Sequence, residues 1–170
     1  MNKIFLVGLP AAGKSTVAVW LAERLGWTFV DLDHAIMEHT GSSVPQLFME
    51  KGEAEFREIE AQVLREVSSQ NNIVLGCGGG TAAFHDNMSY MTSRGLTVYL
   101  NTERTLLVDR IAESRHERPM FLGLDREQIQ EKLTDILESR GVYYSQAKLV
   151  WNRSEPNEKL YFAVNQLVST

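Results

Sequence analysis

A chain of 170 residues with 44% hydrophobic content has the size and composition of one globular domain with a buried core. It carries 17 basic and 22 acidic residues, and the net charge of -5 argues against nucleic acid or an anionic membrane surface as the main partner. The single cysteine, Cys77, excludes an internal disulfide, so we expect a reducing compartment. The four histidines lack the spacing of metal ligands, so we expect no transition metal.

Short apolar runs alternate with longer amphipathic ones, which is typical of strands and helices around a mainly parallel sheet. The predicted strands span residues 3–7, 28–32, 73–75, 97–100 and 149–151. The predicted helices span residues 14–25, 33–40, 44–51, 53–69, 86–93, 105–113, 126–140 and 157–168. We therefore expect an α/β fold of three layers, with a five-stranded, mainly parallel sheet flanked by helices.

Local signals mark several helix boundaries. Gly26 follows the first predicted helix, as expected for a residue that ends it. Ser43 with Gln46, and Asp125 with Gln128, each have the spacing of a capping box. These signals predict helix starts next to residues 43 and 125.

The sequence also bears on domain organisation and location. Its apolar run at residues 4–12 is interrupted by glycine and proline and falls short of the about 18 residues of a membrane span. Residues 114–124 are polar, contain proline and glycine and lack periodicity, so we expect a mobile loop there, inside one domain. We expect a cytoplasmic protein with one domain over 1–170 and no membrane partner.

A glycine-bounded loop follows the first predicted strand. Its sequence from Gly8 to Ser15, GLPAAGKS, fits the phosphate-loop pattern G-x-x-x-x-G-K-[ST] in the strand-to-helix context that the pattern requires. Backbone N–H groups and the helix N-terminus attract phosphates, Lys14 reaches the outer phosphates, and the Ser15 hydroxyl can ligate Mg²⁺. Asp31 and Asp33 raise a dinucleotide-binding alternative, but the loop lacks the second glycine of G-x-G-x-x-G. The loop alone does not separate a kinase from an NTPase switch.

Charged residues further along suggest a second substrate. Asp31-Leu32-Asp33 follows the second predicted strand, and alternation along an extended segment places both carboxylates on one side. One carboxylate would hold Mg²⁺ through water while the other accepts a proton from an attacking hydroxyl, although Asp33 also suits the N-cap of the next helix. Arg57 and Glu60, three residues apart on a helix, form either a surface ion pair or part of a binding site.

Glycines and arginines complete the set of candidates. The run at residues 76–80, Gly-Cys-Gly-Gly-Gly, lets a ligand approach the backbone or forms a flexible turn. Arg115 and Arg118 in the predicted loop, and Arg140 near a helix end, suit forked recognition of carboxylate or phosphate. Taken singly, each of these arginines fits a solvated surface charge better than a binding role.

In this order the motifs resemble those of the shikimate kinase family over essentially the whole chain. The matching motifs are the phosphate loop, D-x-D, G-E-x-x-F-R-x-x-E, G-G-G, the R-P of the lid and R-x-x-x-Y. The chain departs from the family at Ala11, where glycine is frequent, at Met120 and Phe121 in the lid, and at Val142, without loss of a charged group. The resemblance implies ATP-dependent phosphorylation of the 3-hydroxyl of shikimate, a step of aromatic amino-acid biosynthesis, with Mg²⁺.

The resemblance also implies residue roles on the nucleotide side. The implied nucleotide-binding residues are Ala11, Ala12, Gly13, Lys14, Ser15, Thr16, Arg110, Arg118 and Arg153. Mg²⁺ would be held by Ser15 and, through water, by Asp31. The implied catalytic residues are Lys14, Asp33 and Arg118, with Asp33 activating the hydroxyl and the two cations neutralising charge on the transferred phosphoryl group.

On the acceptor side the resemblance implies a hydroxy-acid site. The implied shikimate-binding residues are Asp33, Arg57, Gly78, Gly79, Gly80 and Arg140. Both arginines would hold the carboxylate, Glu60 would orient Arg57, and Phe48 and Phe56 would flank the ring. The resemblance therefore implies no partners other than the small-molecule substrates ATP and shikimate.

Two alternatives stay open. The first is a gluconate or nucleoside monophosphate kinase, which would share the scaffold but would not need Asp33, Arg57 and Arg140 together. Convergence of these three residues within about 10 Å would therefore distinguish a shikimate kinase from such an enzyme. The second alternative is a regulatory nucleotide-binding module without catalysis, and it is disfavoured by the intact Lys14, Ser15, Asp33 and Arg118. We expect a monomer, since the sequence indicates no large apolar interface.

Overall fold

Five parallel strands form the central sheet within the described part of this computed structural model, residues 1–114 and 118–169. The strands are β1 (Lys3–Val7), β2 (Thr28–Asp31), β3 (Ile73–Gly76), β4 (Leu96–Asn101) and β5 (Leu149–Asn152). They lie in the order β2-β3-β1-β4-β5, and every neighbouring pair is parallel. The predicted parallel sheet is confirmed, with each strand end within one residue of its expected position.

Helices follow the strands along the chain. They are α1 (Lys14–Leu25), α2 (Leu32–Thr40), α3 (Val44–Val67), α4 (Asn87–Arg94), α5 (Arg104–Ser114), α6 (Arg126–Tyr144) and α7 (Asn157–Val168). Short 3₁₀ turns occupy Thr81–Ala83 and Pro119–Phe121. Within the described residues, none of the helices combines the length and apolar composition needed to cross a membrane.

The central strand β1 is covered on both faces. Ile4, Phe5 and Leu6 are each 0% exposed, although successive side chains of a strand point to opposite faces of the sheet. Helices therefore pack on both faces of the sheet, as in other parallel sheets, and the expected three-layer architecture is confirmed.

Two helices show how local sequence sets a boundary. The predicted break between residues 51 and 53 is confirmed, because Gly52 has non-helical angles (φ 80°, ψ 171°) that divide α3 into two helical parts. Helix α6 was expected to end at residue 140 but continues through Gly141 to Tyr144. The packed Tyr144 ring outweighs the low helix propensity of one glycine. Both predicted capping boxes, at Ser43 and Asp125, are confirmed.

The register places two loops side by side at the carboxyl edge of the sheet. Gly76 of β3 pairs with Leu6 of β1 on one side and with Asp31 of β2 on the other. The phosphate loop after β1, the glycine run after β3 and the start of α2 after β2 therefore leave the sheet as neighbours. In open parallel sheets this edge is where ligands bind.

The expected lid is described only in part, because Arg115, His116 and Glu117 lie outside the described residues. On the described side, Phe121 is 0% exposed and belongs to the hydrophobic core, and Lys132 of α6 donates a hydrogen bond to the carbonyl of Met120. The C-terminal end of the lid is thus attached to α6. Its movement stays a prediction.

Candidate active site

The phosphate loop is shaped by left-handed backbone angles. Gly8 (φ 148°) and Gly13 (φ 88°) adopt angles that favour glycine, and Gly13 precedes the first residue of α1. Ala11 also has a positive φ of 63°. This angle gives a physical reason why glycine suits the fourth loop position, where Ala11 departs from the family pattern.

Lys14 closes this loop. Its ammonium group donates hydrogen bonds to the carbonyls of Gly8 (2.9 Å) and Leu9 (2.8 Å). The side chain is buried, and this burial lowers the pKa of Lys14 to about 8. A desolvated cation at the mouth of a phosphate loop gains strongly from an anionic ligand.

Two arginines flank the loop beside the α1 N-terminus. Arg110 of α5 donates to the carbonyl of Ala11 (3.0 Å), and a Cβ placed on Gly13 would lie 3.6 Å from Arg110 and 3.9 Å from Arg153. Burial and the charge of Arg110 lower the pKa of Arg153. The Nε of Arg153 is buried without a hydrogen-bond partner among the described residues. Two of the three predicted nucleotide-binding arginines, Arg110 and Arg153, therefore lie next to the loop.

Arg118, the predicted catalytic arginine of the lid, lies on the same side. Its Nε donates to the Ser114 hydroxyl (3.1 Å) at the end of α5. Its positive charge contributes to the lowered pKa of Lys14, after the larger effect of burial. Lys14 and Arg118 therefore lie within electrostatic reach of each other.

The predicted Mg²⁺ ligands are in direct contact. The Ser15 hydroxyl donates to Oδ2 of Asp31 (3.0 Å), and Oδ1 of Asp31 accepts from the backbone N–H of His34 (3.1 Å). Asp31 is therefore the N-cap of α2, and the expectation that Asp33 could fill that position is wrong. The assumption of an extended segment from Asp31 to Asp33 is also wrong, because α2 already begins at Leu32.

Asp33 nevertheless faces the cleft from the first turn of α2. Its Oδ1 lies 3.4 Å from the position of a Cβ added to Gly78. Partial burial, followed by the charges of Asp31 and Glu60, raises the pKa of Asp33 to about 6. The side chain keeps access to solvent, so its carboxylate is reachable by a ligand and has a pKa suited to accepting a proton near neutral pH.

Arg57 and Glu60 form a buried ion pair. Nη1 of Arg57 donates to Oε2 of Glu60 (2.8 Å), and the two side chains are 8% and 1% exposed. Glu53 accepts from Nε and Nη2 of Arg57 (3.3 Å). The interpretation of a surface pair is therefore wrong, and the guanidinium is fixed between two carboxylates.

The glycine run is required by close packing. None of its glycines has a positive φ. A Cβ on Gly80 would overlap the guanidinium of Arg57, at 2.8 Å from its Cζ. A Cβ on Gly79 would meet the Pro10 ring (3.1 Å), and one on Gly78 would lie 3.1 Å from the Thr81 hydroxyl. This packing contradicts the alternative of a flexible turn.

The end of α6 holds the middle of this run. Arg140 (3.1 Å) and the Tyr144 hydroxyl both donate to the carbonyl of Gly79. Tyr144 is buried and stacked on Tyr99 with a centroid distance of 5.2 Å. Burial raises the pKa of Tyr144 to about 12, so its hydroxyl keeps its proton at neutral pH.

The predicted acceptor residues therefore converge. Asp33 approaches Gly78, Arg140 bonds Gly79 and Arg57 packs on Gly80. These are consecutive residues, so their first and last Cα atoms are at most about 7.6 Å apart. The three charged groups thus lie against one three-residue stretch, which is next to the phosphate loop.

Sequence reasoning missed two residues of this cluster. Thr81 is fully buried and donates to Oε1 of Glu60 (2.7 Å). Phe84 packs on the guanidinium of Arg57, with 4.3 Å from Cζ to the ring centroid. Both follow the glycine run within four residues. Their closeness to the glycine run was the one sequence feature that could have pointed to them, but neither residue type indicates a site by itself.

A phosphate loop at the end of β1, beside a cleft with two arginines and an aspartate, defines a small-molecule kinase of the P-loop class. Residues 10–168 match the family model described as shikimate kinase. The chain belongs to the shikimate kinase family.

Individual relatives agree with this assignment. The curated shikimate kinase of Bacteroides thetaiotaomicron is 37% identical over 159 residues, which cover 94% of this chain and 91% of the relative. The crystal structure of shikimate kinase from the same organism covers 99% of both chains, with a TM-score of 0.92 and 34% identity. Shikimate kinase from Acinetobacter baumannii in complex with shikimate covers 99% of this chain and 93% of its own, with a TM-score of 0.86 and 34% identity. The predicted family and fold are confirmed.

Proposed function

We propose that this protein transfers the γ-phosphoryl group of ATP to the 3-hydroxyl of shikimate. The products are ADP and shikimate 3-phosphate, in a step of aromatic amino-acid biosynthesis. The observation that carries the proposal is the convergence of Asp33, Arg57 and Arg140 on three consecutive glycines beside the phosphate loop. A gluconate or nucleoside monophosphate kinase has no need of this combination.

The acceptor site is suited to a compact hydroxy acid. Arg57 and Arg140 are the proposed carboxylate-binding groups, because charge-assisted hydrogen bonds from guanidinium groups fit a carboxylate in position and charge. The carboxylates of Glu53 and Glu60 hold Arg57 in place, so little side-chain entropy is lost on binding. The backbone of residues 78–80 is the proposed close-contact surface for the substrate ring, flanked by Phe48 and Phe56, whose rings lie 4.4 Å apart.

The nucleotide site is suited to a triphosphate. The proposed contacts to phosphate are the backbone and side chains of residues 11–16, at the N-terminus of α1, where the helix dipole favours anions. Arg110 and Arg153 are the proposed contacts to the rest of the nucleotide, and the unpartnered Nε of Arg153 supports this role.

Mg²⁺ fits the oxygen atoms beside this site. The Ser15 hydroxyl and the Asp31 carboxylate are hard oxygen donors 3.0 Å apart. Across the described residues no group of three or more His, Cys, Asp or Glu could hold a metal ion by itself. Mg²⁺ commonly uses one or two protein oxygens together with water and substrate phosphates, and when bound it neutralises phosphate charge. Ser15 is therefore the proposed direct Mg²⁺ ligand, with Asp31 reaching the ion through water.

The proposed step is a direct in-line transfer without a phosphoenzyme. Asp33 accepts the proton of the 3-hydroxyl as the new oxygen–phosphorus bond forms and the bond from the γ-phosphorus to the bridging oxygen of ADP breaks. Lys14 and Arg118 neutralise charge on the transferred group and on ADP. The raised pKa of Asp33, about 6, lets it accept this proton more readily than an ordinary carboxylate.

The proposal extends to the working form of the protein. We propose a cytoplasmic, monomeric enzyme with a single catalytic domain, since the reaction uses ATP and both substrate sites lie at one edge of one sheet. The lid, over about 112–124, is proposed to close over the nucleotide and exclude water, which protects ATP from hydrolysis.

The decisive experiment is ADP release by the purified protein with ATP and Mg²⁺. Shikimate, gluconate and nucleoside monophosphates are offered separately, and phosphorus NMR identifies the phosphorylated hydroxyl. We expect release with shikimate and a product phosphorylated at the 3-oxygen. Release with gluconate or a nucleoside monophosphate instead would overturn the substrate assignment, and release with none of them would favour a binding module.

A further inference from the structure

Three phenylalanine rings face the guanidinium of Arg57. Its Cζ lies 4.3 Å from the ring centroid of Phe84, 5.1 Å from that of Phe56 and 5.7 Å from that of Phe48. Phe48 and Phe56 belong to α3, as Arg57 does, whereas Phe84 comes from the separate segment after the glycine run. The shortest aromatic contact of Arg57 is therefore supplied from outside its own helix.

Phe84 is carried by a strained turn. The two residues after it, His85 (φ 49°) and Asp86 (φ 54°), both have left-handed backbone angles although neither is glycine. Such angles are unfavourable for residues with a Cβ, and they persist where surrounding contacts fix the backbone. The turn therefore needs an anchor.

Arg65 of α3 provides that anchor. Its Nη2 donates to the carbonyl of His85 (3.1 Å) and its Nη1 to Oδ1 of Asn87 (2.9 Å). Asn87 is 0% exposed, and its Nδ2 donates to the carbonyl of Thr81 (3.0 Å). Arg65 and Asn87 thus connect both ends of residues 81–87, which we name the 81–87 segment.

The same segment is tied to the ion pair of Arg57. The Thr81 hydroxyl donates to Oε1 of Glu60 (2.7 Å), while Oε2 of Glu60 accepts from Arg57 (2.8 Å). The segment therefore acts on Arg57 in two ways, through the Phe84 ring on its face and through Glu60 at its edge.

We propose that the 81–87 segment, anchored by Arg65, is a positioning element that holds Arg57 for an anionic acceptor and so raises the preference for an acid over a neutral analogue. The inference rests on the proposed function. A guanidinium confined between rings and carboxylates before binding loses little conformational freedom when it meets a carboxylate. Phe84 and Arg65 act through Arg57.

The first test replaces the ring. Phe84→Leu keeps an apolar side chain but removes the aromatic face. We expect the KM for shikimate to rise about fivefold, with the KM for ATP within about twofold of its starting value. The kcat/KM ratio of shikimate to its methyl ester should fall by about the same fivefold factor. Phe84→Tyr should restore the ratio, and Phe162→Leu, at a ring 64% exposed on α7, is the matched control.

The second test removes the anchor. Arg65 and Arg94 both stack on the Tyr90 ring, at 4.8 and 5.6 Å from the centroid, but Arg65 also bonds His85 and Asn87. Arg65→Gln should therefore lower the acid-to-ester ratio in the same direction as Phe84→Leu, and Arg94→Gln should not. Thermal unfolding midpoints of the paired variants are compared, so that a general loss of folding is separated from a selective loss of acid recognition.

The outcomes separate the inference from the function on which it rests. An unchanged acid-to-ester ratio in Phe84→Leu and Arg65→Gln, with the unaltered protein active on shikimate, would overturn the inference alone. Equal losses for shikimate and its ester would also overturn it, because they would show a structural effect only. If the unaltered protein releases no ADP with shikimate, the proposed function fails and the inference fails with it.

Discussion

The proposed nucleotide side and the proposed acid side of this cleft are built in different ways. The proposed phosphate-binding part of the nucleotide side is one continuous segment, residues 8–16, whose loop takes its shape from backbone angles, while Lys14 donates to carbonyls of that loop. The proposed nucleotide-binding arginines of α5 and of the segment after β5 approach it from elsewhere in the chain. The acid side takes Asp33 from α2, Arg57 from α3 and Arg140 from α6, and these meet only on residues 78–80. The continuous segment therefore depends on few distant residues, whereas the acid side depends on every residue that positions its three charged groups.

The largest expected effect is on the nucleotide side. Lys14→Met removes the buried ammonium that the proposed mechanism places on the phosphates, and we expect kcat to fall by about 10² to 10³ with any acceptor. Steady-state ADP release measures it, with Lys159→Met at an exposed position as control. A loss confined to one acceptor would show that the two sides are less separate than the geometry indicates.

The next largest effect should be confined to the acid side. Arg57→Ala removes a charge-assisted contact worth about 1.5 to 3 kcal/mol, so shikimate affinity should fall by about 10- to 150-fold with little change for ATP. Calorimetric titration with each substrate measures both affinities, and Arg24→Ala at a largely exposed arginine is the control. Equal weakening of both substrates would contradict the assignment of Arg57 to the acid side. Glu60 would be left buried without its ion-pair partner, so we also expect a lower unfolding temperature.

The pH dependence of kcat/KM tests both sides at once. Asp33, with a pKa of about 6, must be deprotonated to accept a proton, and Lys14, with a pKa of about 8, must stay charged. Activity should therefore peak between these values and fall about tenfold one pH unit below the lower one. Asp33→Asn should leave a residual rate without this acidic limb. An acidic midpoint near pH 4, the usual value for an aspartate, would contradict the role of Asp33.

The smallest effect concerns the glycine run. Gly80 has an ordinary φ of -102°, so Gly80→Ala introduces crowding against Arg57 without backbone strain. Overpacking of this kind costs the folded protein about 1 kcal/mol or more. Relieving the overlap displaces the Arg57 guanidinium, so we expect shikimate affinity to fall about fivefold. Gly141→Ala in α6, where a Cβ would meet Leu137 at 3.6 Å, is the control and should leave both affinities unchanged. Unchanged shikimate binding in Gly80→Ala would show that Arg57 can shift at no cost.

The same contrast explains what could be predicted from the sequence. The phosphate loop and the bounds of α1 were predicted to the residue, because the sequence pattern is continuous and the shape of the loop comes from its own backbone. The burial of the Arg57–Glu60 pair was not predicted, since spacing on a helix gives the contact but not its surroundings. The predicted geometry of Asp31 and Asp33 was also wrong. Asp31 accepts the N-cap hydrogen bond from His34, so α2 starts one residue earlier than the pattern indicated.

Residues that act only through others left the weakest signal. Thr81, Phe84 and Asn87 belong to no motif, and their types are common in turns and cores. What makes them significant is that α3 brings Glu60, Arg57 and Arg65 against them from a distant part of the chain. Tertiary packing of this kind is not contained in local periodicity.

The pairing of β1 with β3 has a consequence for the reaction itself. Leu6 is level with Gly76, so the phosphate loop and the glycine run start from adjacent strands, which lie about 4.8 Å apart in any sheet. The separation between the proposed phosphoryl-donor and acceptor sites is therefore set in part by the backbone hydrogen bonds between β1 and β3, which do not depend on side chains. We therefore expect substitutions in α2, α3 and α6 to change which acceptor is bound without changing the position of the phosphoryl donor.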